Sequence, residues 1–371
     1  MRLLISGGGT GGHVYPALTV VNAIPPRDDN AFLYLGRANS VEARLAQRAQ
    51  IPFRAIETGQ VRGKAPWIVA RSLARMYRSV GAVRALIRDF RPDAIFVTGG
   101  YVSAPVIWAG AAEKIPRVIY LPDLEPGWAI RVTARWATRV AVSFPDVTRH
   151  FAPGKAIVTG YPVRAEFFAT DQKKARARFQ LDPNTRTVAI FGGSSGAHNI
   201  NRAVVMNYVA LAELAHVIHL TGKNDEEWVR REVEQLFQDL EARVRVFGYL
   251  DDDLPDALAA ADLVVARAGA ATLGEFPALG LPAILVPGPF AGQFQEPNAR
   301  FLVERGAALK VDDAALKEKL IPTIRNLFDA PEKLNAMRDA MCALANPNAA
   351  TNIANLLEQL ALSGSKFKAQ S

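Results

Sequence analysis

Two segments of this chain follow the same plan. RLLISGGGTGGH at residues 2–13 runs from an apolar stretch through a glycine cluster towards a helical pattern, and TVAIFGGSSGAHNINRAV at 187–204 does the same. Few folds accept a strand that breaks into glycines before a helix. The glycines are needed where backbone takes positive φ or approaches a neighbour or ligand closely. Elsewhere apolar runs alternate with amphipathic ones. Strands are expected at 2–6, 31–36, 94–99, 117–122 and 139–144, then at 187–193, 217–222, 244–250, 262–269 and 283–288. Helical stretches such as VEARLAQRA, LARMYRSVGAVRALIRDF and EEWVRREVEQLFQDLEARV lie between them. Over 371 residues this alternation predicts an α/β protein with two doubly wound parallel sheets in tandem.

The pattern breaks at TGYPVRAEFFATD, where Gly160 and Pro162 interrupt it. One Rossmann-like domain is therefore expected over 1–162 and a second over 163–345. The helical run 349–363 is expected to pack back on the first, and GSKFKAQS to be a loose tail. A ligand site is expected in the cleft that the strand C-terminal ends of the two domains would face across.

Composition narrows the partners. No apolar run reaches the roughly 18 residues of a membrane-spanning helix, and MRLLISGGG lacks the plan of a signal peptide. The single cysteine, Cys342, excludes an internal disulfide, fits a reducing cytoplasm, and reads as a small core residue. The net charge of +8 is uneven, with 21 Lys and Arg against 10 Asp and Glu in residues 1–162, and 23 against 26 in the rest. Between Glu57 and Asp89 there is no acid but there are seven bases, Arg62, Lys64, Arg71, Arg75, Arg78, Arg84 and Arg88, interleaved with Trp67, Ile68, Leu73, Met76 and Tyr77. Arg131, Arg135 and Arg139 recur every four residues beside Trp128 and Trp136, which would put all three on one helix face. An anionic membrane surface and an ordinary solvated helix face both fit these clusters. Nucleic acid fits less well, because zinc-finger spacing, an RNP-like strand and a separate basic helix are all missing.

Gly7-x-Gly9-x-x-Gly12 matches the dinucleotide pattern, but the second expected strand ends in Arg37 rather than an acid, which leaves an NADP-dependent oxidoreductase as a remote alternative. A helix starting near Pro16 would offer free N–H groups to phosphate. His13 follows glycines that carry no side-chain chemistry, so a proton acceptor is the sharper reading of it. GGSSGA at 192–197 cradles phosphate or makes a tight turn, and GGYVSAP at 99–105 is a third glycine turn that the sheet would set beside the first. Glu275, early in a helix after Gly269, either complements the helix dipole or holds the two hydroxyls of a ribose. DDD at 251–253 reads as a solvated loop rather than a metal site, and His150, His216 and His219 read as structural.

Taken together, GGGTGGHVYPAL, GGYVSAP, GYPVR, FGGSSGA, the ADLVV to ALGLPAILVP run and QEPNA resemble the MurG-type N-acetylglucosaminyltransferases along essentially the whole chain. The resemblance implies a GT-B fold and an inverting transfer of N-acetylglucosamine from UDP-N-acetylglucosamine to undecaprenyl-pyrophosphate-linked lipid I, giving lipid II. It also implies no metal or other cofactor and a peripheral place on the cytoplasmic face of the cell membrane. His13 would be the general base. Thr10, Gly11 and Gly12 would approach the transferred sugar, Arg164 and Ser194 the donor, and Leu250 the uracil through its backbone. Ala270, Ala271, Thr272, Leu273, Gly274 and Glu275 would wrap diphosphate and ribose, with Gln295 near the sugar. Gly8, Gly9, Gly99, Gly100, Tyr101 and Glu125 would lie on the acceptor side. The chain departs from the family pattern where Leu121, Pro122, Asp123 and Leu124 replace His-Glu-Gln-Asn, with Glu125 or Asp123 as a substitute for the asparagine, and where Phe294 replaces the first glutamine of a pair.

Overall fold

The computed structural model describes residues 1–9, 11–57, 66–193, 196–288 and 292–368, and their side chains except at 66–76, 292, 293 and 364–368. By their contacts these residues form two units, Met1–Val163 with Asn348–Ser371, and Arg164–Pro347. Thr10, Ser194, Arg62 and Lys64 lie outside the described residues, as do the side chains of Trp67, Ile68, Arg71, Leu73, Arg75 and Met76.

The first unit contains a seven-stranded sheet. Its strands are β1 (Arg2–Ser6), β2 (Ala31–Gly36), β3 (Phe53–Ala55), β4 (Ala94–Val97), β5 (Arg117–Leu121), β6 (Arg139–Val142) and β7 (Ala156–Val158). They run parallel in the order β3-β2-β1-β4-β5-β6-β7. Leu4 stands opposite Leu33 on one side and Ile95 on the other. The strand order reverses between β1 and β4, where the two glycine turns leave the sheet together. The helix Ala349–Lys368 packs on the helix Gly11–Asn22, held by an Arg27–Glu358 ion pair of 3.2 Å and by a 3.1 Å bond from Asn352 to the Thr159 carbonyl.

The second unit contains six parallel strands, β8 (Thr187–Phe191), β9 (His216–Leu220), β10 (Val244–Phe247), β11 (Leu263–Ala266), β12 (Ala283–Leu285) and β13 (Ala308–Lys310). Their order is β10-β9-β8-β11-β12-β13, and Ile190 sits between His219 and Val265. In both sheets the central strands are buried on two faces, as parallel sheets covered by helices require.

Several expectations need correction. β1 and β2 have the expected bounds, but the other expected strands stop short at their carboxyl ends; three of them do so just before Gly99 (φ +110°), Gly193 (φ +87°) and Gly222 (φ +79°), which bend the chain out of the sheet. β3, β7 and β13 were not foreseen. Each is a three-residue edge strand, too short to stand out in the sequence. The first helix begins at Gly11, with Pro16 inside it. Arg131, Arg135 and Arg139 do not share a helix face. The helix ends at Thr133, a 3-10 turn spans Ala134–Trp136, and Arg139 opens β6, whose Val140, Ala141 and Val142 are buried as a strand. Cys342 is exposed rather than in the core. The last helix continues through most of the expected loose tail, to Lys368.

Candidate functional site

In the first unit, β1 and β4 deliver two glycine turns that leave no room for side chains between them. A Cβ on Gly100 would come 2.5 Å from the Gly8 carbonyl oxygen, and one on Gly99 would come 3.0 Å from Cε1 of His13. Gly11 opens the helix Gly11–Asn22, so Gly11, Gly12 and His13 occupy its first turn, where N–H groups have no partner within the helix. The Thr98 hydroxyl donates to the His13 carbonyl at 2.5 Å. The Thr98 carbonyl in turn accepts from Nδ1 of His13 at 2.7 Å. Because a carbonyl only accepts, Nδ1 carries the proton and Nε2 keeps its lone pair.

Beneath the turn the Tyr34 hydroxyl donates to the Gly7 carbonyl at 2.6 Å, and burial together with the charge of Glu42 holds that phenol well above its ordinary pKa. Sequence reasoning passed over Glu42. Its carboxylate is completely buried and accepts the Gly9 amide at 3.3 Å and the Arg37 amide at 3.2 Å. The Arg37 guanidinium lies 3.8 Å away from it. Arg37 is thus turned to an internal partner, which weakens the NADP alternative.

Further along the same sheet edge, Tyr101 is half-buried, whereas Leu124 is buried and offers nothing polar in place of the missing asparagine. Glu125 faces Arg131 at 3.1 Å, Arg149 at 3.6 Å and His150 at 3.5 Å, so its carboxylate is already surrounded by basic groups.

In the second unit the expected donor residues collect on the carboxyl edge of the sheet. Arg164 donates to the Asp251 carbonyl at 3.2 Å, beside the half-buried Leu250 that follows β10. After β11, a 3-10 turn at Ala270–Leu273 is closed by the Thr272 hydroxyl on the Gly269 carbonyl at 2.7 Å, and Gly274 leads to Glu275 at the head of the helix Glu275–Leu279. Burial pushes the Glu275 carboxyl up to about 7, against the opposing pull of the Arg164 charge. The residue as a whole is only half-buried. Gln295 caps the loop after β12 by accepting the Gly288 amide at 2.8 Å, which leaves its own NH₂ to donate elsewhere. Asn298, also missed from sequence, is fully buried and ties the chain after β11 by donating to the Ala268 carbonyl at 3.1 Å.

His198 opens the helix His198–Val205 with Nδ1 3.0 Å from Asp225, and its side chain is 66% exposed. Behind it Asn201 donates to Asp225 and to the Thr221 carbonyl, both at 2.8 Å, and its oxygen accepts Nε2–H of His219 at 3.0 Å. The Tyr208 hydroxyl donates to the remaining nitrogen of His219 at 2.5 Å. Burial drives the pKa of His219 down to about 3, so it is a neutral structural imidazole.

Comparisons with known proteins give the family and the fold. The model of the glycosyltransferase family 28 N-terminal domain matches residues 3–142, and that of the C-terminal domain matches residues 187–357. A protein of Roseiflexus sp. is 38% identical over 98% of this chain and 95% of its own length. One from Bacillus pumilus is 36% identical over 97% and 99%. Both are named UDP-N-acetylglucosamine–N-acetylmuramyl-(pentapeptide) pyrophosphoryl-undecaprenol N-acetylglucosamine transferase. Among solved structures, MurG of Acinetobacter baumannii has a TM-score of 0.74 at 24% identity, covering 96% of this chain and 99% of that one. A UDP-GlcNAc 2-epimerase from Neisseria meningitidis bound to UDP-GlcNAc has a TM-score of 0.68 at 14% identity, covering 97% and 100%. These structural likenesses are of fold.

Proposed function

This chain belongs to glycosyltransferase family 28, and on that premise we propose that it transfers N-acetylglucosamine from UDP-N-acetylglucosamine to the 4-hydroxyl of the muramyl sugar of lipid I, making lipid II. The observation that carries the mechanism is the bond from Nδ1 of His13 to the Thr98 carbonyl. It leaves Nε2 as an acceptor at the first turn of a helix, where a general base can remove the hydroxyl proton as the oxygen attacks the anomeric carbon. The bond from that carbon to the diphosphate breaks on the opposite face, so the configuration inverts and UDP departs with the electron pair.

In the second unit Glu275 receives the ribose hydroxyls, and the amides of the turn Ala270–Leu273 stabilise the charge that develops on the leaving diphosphate. Gln295 donates to the sugar through its free NH₂. Gly11 and Gly12 present helix-opening amides, which suit an acceptor's pyrophosphate. A transfer assay with UDP-N-acetylglucosamine and a short-chain lipid I analogue tests the reading. Labelled sugar appears on the lipid if it is right, and bound but untransferred donor would refute it.

Peripheral membrane attachment is part of the same proposal. Among the described residues no helix is long and apolar enough to cross a membrane. The first unit bears the excess of bases, and it exposes Tyr77 and Trp128, at 81% and 53%. Exposed aromatic side chains beside bases suit an anionic lipid surface.

A further inference from the structure

The carboxylate of Glu42 has no part in the reaction as described, yet it lies fully buried directly under the turn that precedes the proposed base. It sits in the first turn of the helix Val41–Arg48, capped by Ser40, with the Arg37 guanidinium 3.8 Å away. A Cβ on Gly8 would come 2.5 Å from its Oε1, and one on Gly36 would come 2.6 Å from its Cγ, so both glycines are needed for it to fit. It takes the Gly9 amide at 3.3 Å. Across a trans peptide the Gly8 carbonyl then points the other way, towards Gly100. Both polar atoms of the Gly8–Gly9 peptide are therefore turned to the protein rather than to a ligand. Among the described residues, the amides that open the helix at Gly11 and Gly12 are left for an anion.

We propose that Glu42 is a positioning residue: by clamping the Gly8–Gly9 peptide it sets where the first turn of the helix Gly11–Asn22, and with it Nε2 of His13, meets the acceptor. The inference rests on the transfer reaction proposed above. It assigns Glu42 to the acceptor side alone, because its partners among the described residues belong to the first glycine turn and the adjacent end of β2.

The test uses the full chain with Glu42→Ala and Glu42→Gln, varying donor and lipid I analogue in turn, and measuring UDP affinity by calorimetry and the melting temperature. Displacing a base by a fraction of an ångström is costly, so Glu42→Ala is expected to lower kcat about a hundredfold and to raise the acceptor KM. Glu42→Gln keeps one accepting oxygen and the volume, and should recover about tenfold of that loss. Donor KM and UDP affinity should stay within about twofold in both. Unchanged acceptor kinetics in folded Glu42→Ala protein would overturn the proposal, and so would equal losses towards donor and acceptor.

Should Glu42→Ala fail to fold, Gly8→Ala drives a methyl into the same carboxylate from the opposite side and carries the same expectations. Hydrogen exchange at the Gly9 amide reads the clamp without turnover, and should quicken by about tenfold or more in either variant. If the wild-type chain does not glycosylate the lipid but exchange quickens, the transfer reading fails and the clamp stands. Transfer with unaltered exchange sinks the clamp alone.

Discussion

The glycine turn of the first unit ends in a histidine held by a backbone carbonyl, whereas the turn of the second ends in a histidine held by a carboxylate. His13 donates to Thr98 and is partly buried; His198 pairs with Asp225 and is largely exposed. A carbonyl fixes the tautomer without adding charge and leaves a basic nitrogen free. The Asp225 carboxylate instead occupies Nδ1 of a ring that lies largely in solvent. The same local plan of strand, glycines and helix thus yields the proposed base in one place and an exposed histidine–aspartate contact in the other. The titrating acid of the second unit is instead Glu275, held near neutrality by burial. The contrast fits the proposed division, with chemistry on the first unit and donor recognition on the second.

The division can be broken most directly at the two histidines. His13→Ala should lower transfer by about a thousandfold while leaving UDP affinity within about twofold. His198→Ala should cost less than about threefold, since contacts of a largely exposed side chain contribute little. Comparable losses in turnover assays of the two would erase the contrast.

The interlocked turns offer the next largest effect. Gly99→Ala places a methyl 3.0 Å from the His13 ring at a φ of +110°, so kcat should fall about a hundredfold with the donor KM unchanged. Gly196→Ala presses on the Thr221 carbonyl at a φ of +74°, and should weaken UDP binding about tenfold without moving the acceptor KM. If each variant harms both substrates equally, the units do not divide the labour.

Glu275 gives a smaller, pH-dependent signal. Its carboxyl is raised to about 7, and ribose hydroxyls donate to the ionised form, so UDP affinity should rise about tenfold between about pH 6 and pH 8 and then level off. Calorimetry on Glu275→Gln should show a flat profile. A slope that survives the substitution would assign the titration to another group.

The smallest effect concerns the membrane face of the first unit. Trp128→Ala should weaken binding to anionic liposomes a few-fold, and added salt should weaken it further in both proteins. Association indifferent to salt and to anionic lipid would remove the membrane from the proposal.

The buried runs of β1, β4, β8 and β11 were legible in the sequence because strands covered on both faces must be apolar throughout. The carboxyl ends of β4, β8 and β11 were not, since a run such as AIFVTGG does not show where Gly99 takes positive φ. Arg139 misled because a four-residue spacing of charges ignores the buried valines after it, which belong to a strand. His13 stood out by following glycines that have no side chains of their own. Glu42 did not, because one glutamate early in VEARLAQR has the pattern of an ordinary solvated helix start. Only the pairing of β2 with β1 brings it beneath Gly9.

Local order along the chain, alternating apolar runs with glycine breaks, was enough to determine two parallel α/β sheets and the histidine at the head of the first helix. These properties arise from burial and backbone freedom between near neighbours in sequence. The tautomer of that histidine, the carboxylate under its turn and the near-neutral Glu275 were decided by tertiary structure alone. Each depends on a partner from a distant segment and on the water that its packing excludes.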